Sequence, residues 1–139
     1  MRRQIRSQGI DLTLKSNWYK YIDKEEIVFA STFNNKKSYA FLSIININTN
    51  ERGLDEYSII IDKKLKDNLI NYKKDKVMCE LGEGYSFKFT KQDKETNLVE
   101  LYSVSKENII QLRLYGKGNV INNSLNEYEK IRSSLSTYK

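Results

Sequence analysis

Apolar and polar residues alternate first at Ile10, Leu12 and Leu14, with Asp11, Thr13 and Lys15 between them. A period of two is what a strand with one buried face requires, because successive side chains point to opposite sides of a sheet. Ser16 and Asn17 mark a turn, and Trp18-Tyr19-Lys20-Tyr21-Ile22 follows as a short strand or a core-covering loop, closed by a turn at Asp23-Lys24-Glu25. Residues 27–33 and 39–47 are rich in β-branched and aromatic side chains. The polar Asn34-Asn35-Lys36-Lys37 between them has hairpin length, so the pair predicts a β-hairpin.

The period then changes. After Asn48-Thr49-Asn50-Glu51-Arg52-Gly53, Tyr57, Ile61, Leu65, Leu69 and Tyr72 recur near helical spacing, which predicts a helix over about 55–72 with Asp55 as its N-cap. Strands are expected at 76–81, 85–91, 97–105 and 109–115. Their links, Gly82-Glu83-Gly84, residues 91–96 and Lys106-Glu107-Asn108, are too short for parallel crossovers and favour antiparallel neighbours. Gly116 and Gly118 end the last strand. Ser124-Leu125-Asn126-Glu127 has the spacing of a capping box and predicts a closing helix over 124–137, with Leu125, Tyr128, Ile131 or Arg132, and Leu135 turned inward.

Residues 2–8 are polar and show neither period, so residues 1–8 are read as a tether and residues 9–139 as a single α+β domain. A chain of 139 residues with 39% hydrophobic and 12% aromatic content can bury a core without disulfide or metal support. Its formal charge of +6 is spread over short basic runs mixed with acids, which is the pattern of solvated faces rather than of a phosphate track. No apolar run approaches the roughly 20 residues needed to span a bilayer.

The chain has no histidine, which removes Ser-His-Asp, Cys-His and histidine-rich zinc chemistry together. Its single cysteine, Cys79, lies in an apolar stretch and reads as a small buried hydrophobe. The acid pairs Glu25 and Glu26, Asp55 and Glu56, and Glu80 with Glu83 fall beside turns and helix starts, where acids serve solubility and capping. No calcium loop is present, and neither Gly82-Glu83-Gly84 nor Gly116-Lys117-Gly118 has the spacing of a phosphate loop. Ten tyrosines interleaved with lysines could stack on bases, but aromatics on alternating strands more often pair across a sheet. Trp18, Tyr19 and Tyr21 are the candidate partner-binding residues. No catalytic, metal-binding or cofactor-binding residue is assigned.

Gly9-Ile10-Asp11-Leu12-Thr13-Leu14, then Asn17-Trp18, a hairpin, a helix, a run of strands and a last helix from Asn123 to Leu135 form a layout that resembles the PsbP-like domains of the PsbP/Mog1 fold. The resemblance covers nearly the whole chain and extends to the small secreted or lipid-anchored bacterial members. Ser16 stands where proline is usual before the tryptophan, and Ser136-Thr137-Tyr138 where a Ser-Phe pair is usual. The resemblance implies a central antiparallel sheet flanked by helices, in a single-domain sandwich. It also implies an accessory role: plant relatives are subunits of photosystem II, and most bacterial relatives have no assigned activity, so no site residue transfers.

The expected function is therefore a non-catalytic, extracytoplasmic binding or accessory domain without cofactor. Its expected partner is another protein or a cell-envelope component, with membrane contact only through an upstream signal or lipid anchor. The alternatives are a cytoplasmic nucleic-acid-binding protein and a hydrolase that works with carboxylates alone.

Overall fold

A computed structural model describes residues 2–15, 18–33, 38–50, 52–65, 69–117 and 120–137. The first element is β1 (Arg2–Ser7), antiparallel to β2 (Ile10–Lys15), with Ile5 opposite Leu12. The stretch read as a tether is thus a strand. Its single central apolar side chain, Ile5, gave no alternation to detect, and the turn that defines the hairpin is conformational: Gln8 and Gly9 both have positive φ, 57° and 82°. Two successive left-handed residues make the tight connection whose twist matches that of the flanking strands. Asn46 holds this turn, its Nδ2 donating to the Gln8 carbonyl at 2.8 Å and its backbone N–H to Gln8 Oε1 at 3.0 Å.

The large sheet begins with β3 (Trp18–Asp23), β4 (Glu26–Phe33) and β5 (Ser38–Asn48), an antiparallel meander. The expected turns at Ser16-Asn17 and at residues 34–37 lie outside the described residues. The chain then crosses by α1 (Gly53–Leu65) to the opposite edge of the sheet. From there β6 (Ile70–Cys79), β7 (Gly82–Thr90), β8 (Glu95–Ser103) and β9 (Asn108–Lys117) step back until β9 pairs with β5. The resulting order is β3-β4-β5-β9-β8-β7-β6, antiparallel throughout. The chain ends with α2 (Val120–Ser133) and β10 (Ser136–Thr137), which pairs with β2 to complete a second sheet, β1-β2-β10.

Alternation places the core on both faces of the large sheet. On one face Phe29, Leu42, Ile44, Ile110, Leu112 and Leu114 meet Ile10, Leu12 and Leu14 of β2 and Ile121, Tyr128 and Ile131 of α2. On the other, Phe87, Phe89, Val99, Leu101 and Ile109 are covered by Leu54, Tyr57, Ile61 and Leu65 of α1. Two tyrosines fasten α1 at its ends: Tyr85 donates to Asp55 and Tyr72 donates to Asp62.

Several expected boundaries shift. The first helix starts at Gly53 and ends at Leu65, so Asp55 lies in its first turn, bound by Tyr85, and is not the N-cap. Leu69 and Tyr72 do join the apolar cluster beneath α1, but from the segment leading into β6 and from β6 itself, which is why they mimicked a longer helical face. The last helix begins at Val120, four residues before the expected capping box, and Ser124 is 1% exposed inside it. That helix ends at Ser133. Leu135 lies beyond it and is buried, together with Tyr128 and Ile131, while Leu125 packs partly buried against the same core. Gly82 is not a link but the first residue of β7, paired with Cys79 across a turn at Glu80-Leu81.

Candidate functional site

The register of the large sheet lines up Tyr19, Ala30, Phe41, Tyr115 and Asn97 as direct neighbours across β3, β4, β5, β9 and β8. This row lies on the face that α1 covers at its β7–β8–β9 side. The α1 cluster reaches β5 at Ile47, at the end of that strand remote from Phe41. Val28, Ala30 and Ser43 on the β4–β5 side, and Asn97 on β8, are nonetheless buried, and large aromatic side chains occupy neighbouring positions of the row.

Those side chains form a ladder. Pairing between β3 and β4 slips between Lys20 and Ile22, and Tyr21 occupies the slip. A bulge re-aims the residue it displaces, and Tyr21 lies tilted at 5.8 Å from the Phe41 ring. Phe41 stacks on Tyr115 at 5.3 Å, and the Arg113 guanidinium sits 4.1 Å from the Tyr115 centroid. Arg113 is held in place, with Nε donating to Asn97 Oδ1 at 2.7 Å and Nη2 to Glu95 Oε1 at 3.0 Å. Burial pushes the Tyr115 phenol above its ordinary pKa; Arg113 opposes that shift, and Glu26 and Glu95 add to it. Glu26 accepts a hydrogen bond from Ser43. Aromatic rings and a planar guanidinium give large contact area at small conformational cost, the composition on which protein interfaces concentrate their binding energy.

A second polar group is enclosed between α2 and the opposite face. Glu100 on β8 is 1% exposed, and its two oxygens accept from Tyr102 Oη at 2.8 Å and Arg132 Nη1 at 2.9 Å. Burial first and the Glu100 charge second drive the phenols of Tyr102 and Tyr128 well above the usual tyrosine range. Tyr128 Oη lies against the Glu100 carboxylate without a hydrogen bond of good geometry. Gly84 on β7 lies beneath the Tyr102 ring; a Cβ there would collide with that ring and with the Leu101 carbonyl. Cys79 borders the group, half-buried, its thiol pKa raised chiefly by burial, which makes it a poor nucleophile at neutral pH. The arrangement joins α2 to the sheet.

Of the three aromatic candidates, Trp18 is 1% exposed and packs in the core, with its carbonyl bound by Arg3. As the first residue of β3 it points to the face under β2, so it is not available as a partner-binding anchor. Tyr19 and Tyr21 are 45% and 63% exposed and border the ladder. The acid pairs singled out by sequence are dispersed: Glu26 is tied to Ser43, Asp55 to Tyr85, and Glu80 and Glu83 are exposed at the β6–β7 turn. The buried acids among the described residues are Asp11 and Glu100, each paired with an arginine. No group of three or more metal-ligating side chains occurs among the described residues, and no helix there is long and apolar enough to cross a membrane. Phe41, Arg113 and Tyr115 were not singled out by sequence, because only the strand register brings them together.

The structure is similar to the solution structure of cyanobacterial PsbP (CyanoP) from Synechocystis sp. PCC 6803, with a TM-score of 0.64 and 13% sequence identity over 99% of this chain and 92% of that one. The likeness shows a PsbP-like α+β fold built on an antiparallel sheet. No family model and no curated protein matches the sequence.

Proposed function

We propose that this chain is a non-catalytic accessory domain that docks another protein on its large sheet, over β3, β4 and β5 on the face opposite α2. The observation that carries the reading is the exposure of Tyr19 and Tyr21 beside the Phe41–Tyr115–Arg113 ladder. Rings already stacked and a guanidinium already hydrogen-bonded lose little freedom when a partner arrives. Glu26 and Glu95 border the same row closely enough to raise the Tyr115 pKa, so a polyphosphate chain would meet carboxylates there; this favours protein over nucleic acid. The PsbP-like fold supports the accessory reading and, with it, an extracytoplasmic site of action reached through an upstream signal or anchor.

Site-specific photo-crosslinking in the native cell tests this. A crosslinker at position 21 should give a discrete protein adduct that is weakened by Tyr19→Ser, while one at exposed Met78 on the opposite edge should not give it. Truncating one anchor of such a surface costs about 2 kcal/mol of binding. Equal labelling from both positions, or none at 21, would refute the docking surface. Protease accessibility in intact cells reports the compartment separately.

A further inference from the structure

On the α2-facing side of the large sheet, one cross-strand row runs Phe29, Leu42, Leu114, Leu98 and then ends in two cations, Lys88 on β7 and Lys73 on β6. The lysines are directly opposed in register. Like charges at directly opposed antiparallel positions repel. Lys73 has an exposed partner in Asp75 at 3.5 Å, whereas Lys88 has no carboxylate within ion-pair distance among the described residues.

Both lysines line a hollow of about 400 Å³ whose described walls carry no acid. Thr90, Thr96, Asn71 and Asn122 supply neutral hydroxyl and amide groups to it. Asn71 is carried there by a left-handed backbone, φ 55°, where the β6–β7 register slips. The first turn of α2, which contributes Asn122, contains no acidic residue. Phe89 and Ile121 complete the described lining; the two lysines and the neutral hydroxyl and amide groups supply the polar contacts that a compact, oxygen-rich anion needs.

We propose that this hollow is a binding site for a phosphate-class oxyanion, either a free phosphomonoester or a phosphate headgroup. The site lies on the sheet face opposite the aromatic ladder and does not depend on the docking reading.

Amide chemical shifts of the isotope-labelled full chain, followed while inorganic phosphate is added at constant ionic strength against chloride, test it. Saturable shifts confined to the neighbourhood of Lys73, Lys88, Thr96 and Asn122 are expected. Lys88→Gln should weaken binding by about tenfold, a loss of one charge-assisted contact. Lys88→Arg should retain it, and Lys106→Gln, at an exposed position outside the hollow, should leave it unchanged. The spectra themselves report whether each variant is folded. Shifts that fail to saturate, scatter over the surface lysines, or persist in Lys88→Gln would overturn the site. Sedimentation with phosphatidylcholine vesicles containing phosphatidic acid separates the two sources: Lys88-dependent pelleting assigns a headgroup, and phosphate binding without pelleting assigns a free phosphomonoester.

Discussion

Arg132 on α2 donates to Glu100 on β8 at 2.9 Å, and Glu100 is the more deeply buried of the two. The pair bridges helix and sheet where the α2-facing row turns from Leu112 to Glu100 to Ser86, so it fixes α2 at the point where apolar packing gives way. Removing one member strands the other. Arg132→Ala should cost about 3 kcal/mol, the lower end for a broken buried pair because Arg132 is partly exposed. The double change Glu100→Leu with Arg132→Met should cost less than Arg132→Ala alone. Urea midpoints of the three proteins decide it, and a double variant weaker than the single one would show that the pair is not a self-contained unit.

Tyr128, one helical turn before Arg132, buries its hydroxyl beside Glu100, whose two oxygens already accept from Tyr102 and Arg132, without a well-formed hydrogen bond of its own. An unpaired buried polar group is costly, and deleting it with the ring retained removes the cost. Tyr128→Phe is expected to leave stability unchanged or raise it by about 1 kcal/mol. A clear fall in the denaturation midpoint would mean that the hydroxyl is bonded in solution.

Tyr72, Tyr102 and Tyr128 all have phenol pKa values raised above the ordinary 10, with burial the first cause in each. Below that value both the folded and unfolded chains keep these protons. Above it the unfolded chain releases them while the folded chain holds them, so the folded state binds more protons and stability falls as pH rises. Urea midpoints should therefore decline progressively above about pH 10. Tyrosinate absorbance should show these phenols ionising together with unfolding, and a stability flat to high pH would contradict the burial.

The sequence exposed what local period can encode. Strands β2, β4, β5 and β7–β9 have enough β-branched and aromatic alternation to be located from residue type alone, and the inward side chains Tyr128 and Ile131 follow from helical spacing, whereas Leu135 is buried from beyond the helix end. What escaped depends on partners distant along the chain. Tyr21, Phe41, Arg113 and Tyr115 become a ladder only once β5 is paired with β9 and the β3 bulge is placed. Glu100 reads as one more acid in a strand until Arg132, 32 residues later, is folded over it. For Trp18 residue type allowed both a core position and an anchor, and the parity of β3 turns it inward, where it is 1% exposed.

The N-terminal strand gives the last prediction. A tether could be removed without loss, whereas β1 makes specific contacts along its length. Ile5 packs partly buried against the main core and lies opposite Leu12. Arg3 binds the carbonyl of buried Trp18, and Arg6 holds the buried Asp11 carboxylate through Nε at 2.8 Å. Deleting residues 1–7 would strip apolar cover from β2, remove the ladder bonds of the hairpin and leave Asp11 without this arginine. The loss is expected to be about 2–4 kcal/mol, combining partial burial of one aliphatic side chain with a broken charged contact. Arg6→Gln isolates the second contribution, which should be the smaller because Arg6 is largely exposed. Hydrogen exchange supplies the local readout: in the truncated chain, amides of β2 should lose protection while those of β8 and β9 keep it. Unchanged midpoints and unchanged β2 protection would return residues 1–7 to the status of a tether.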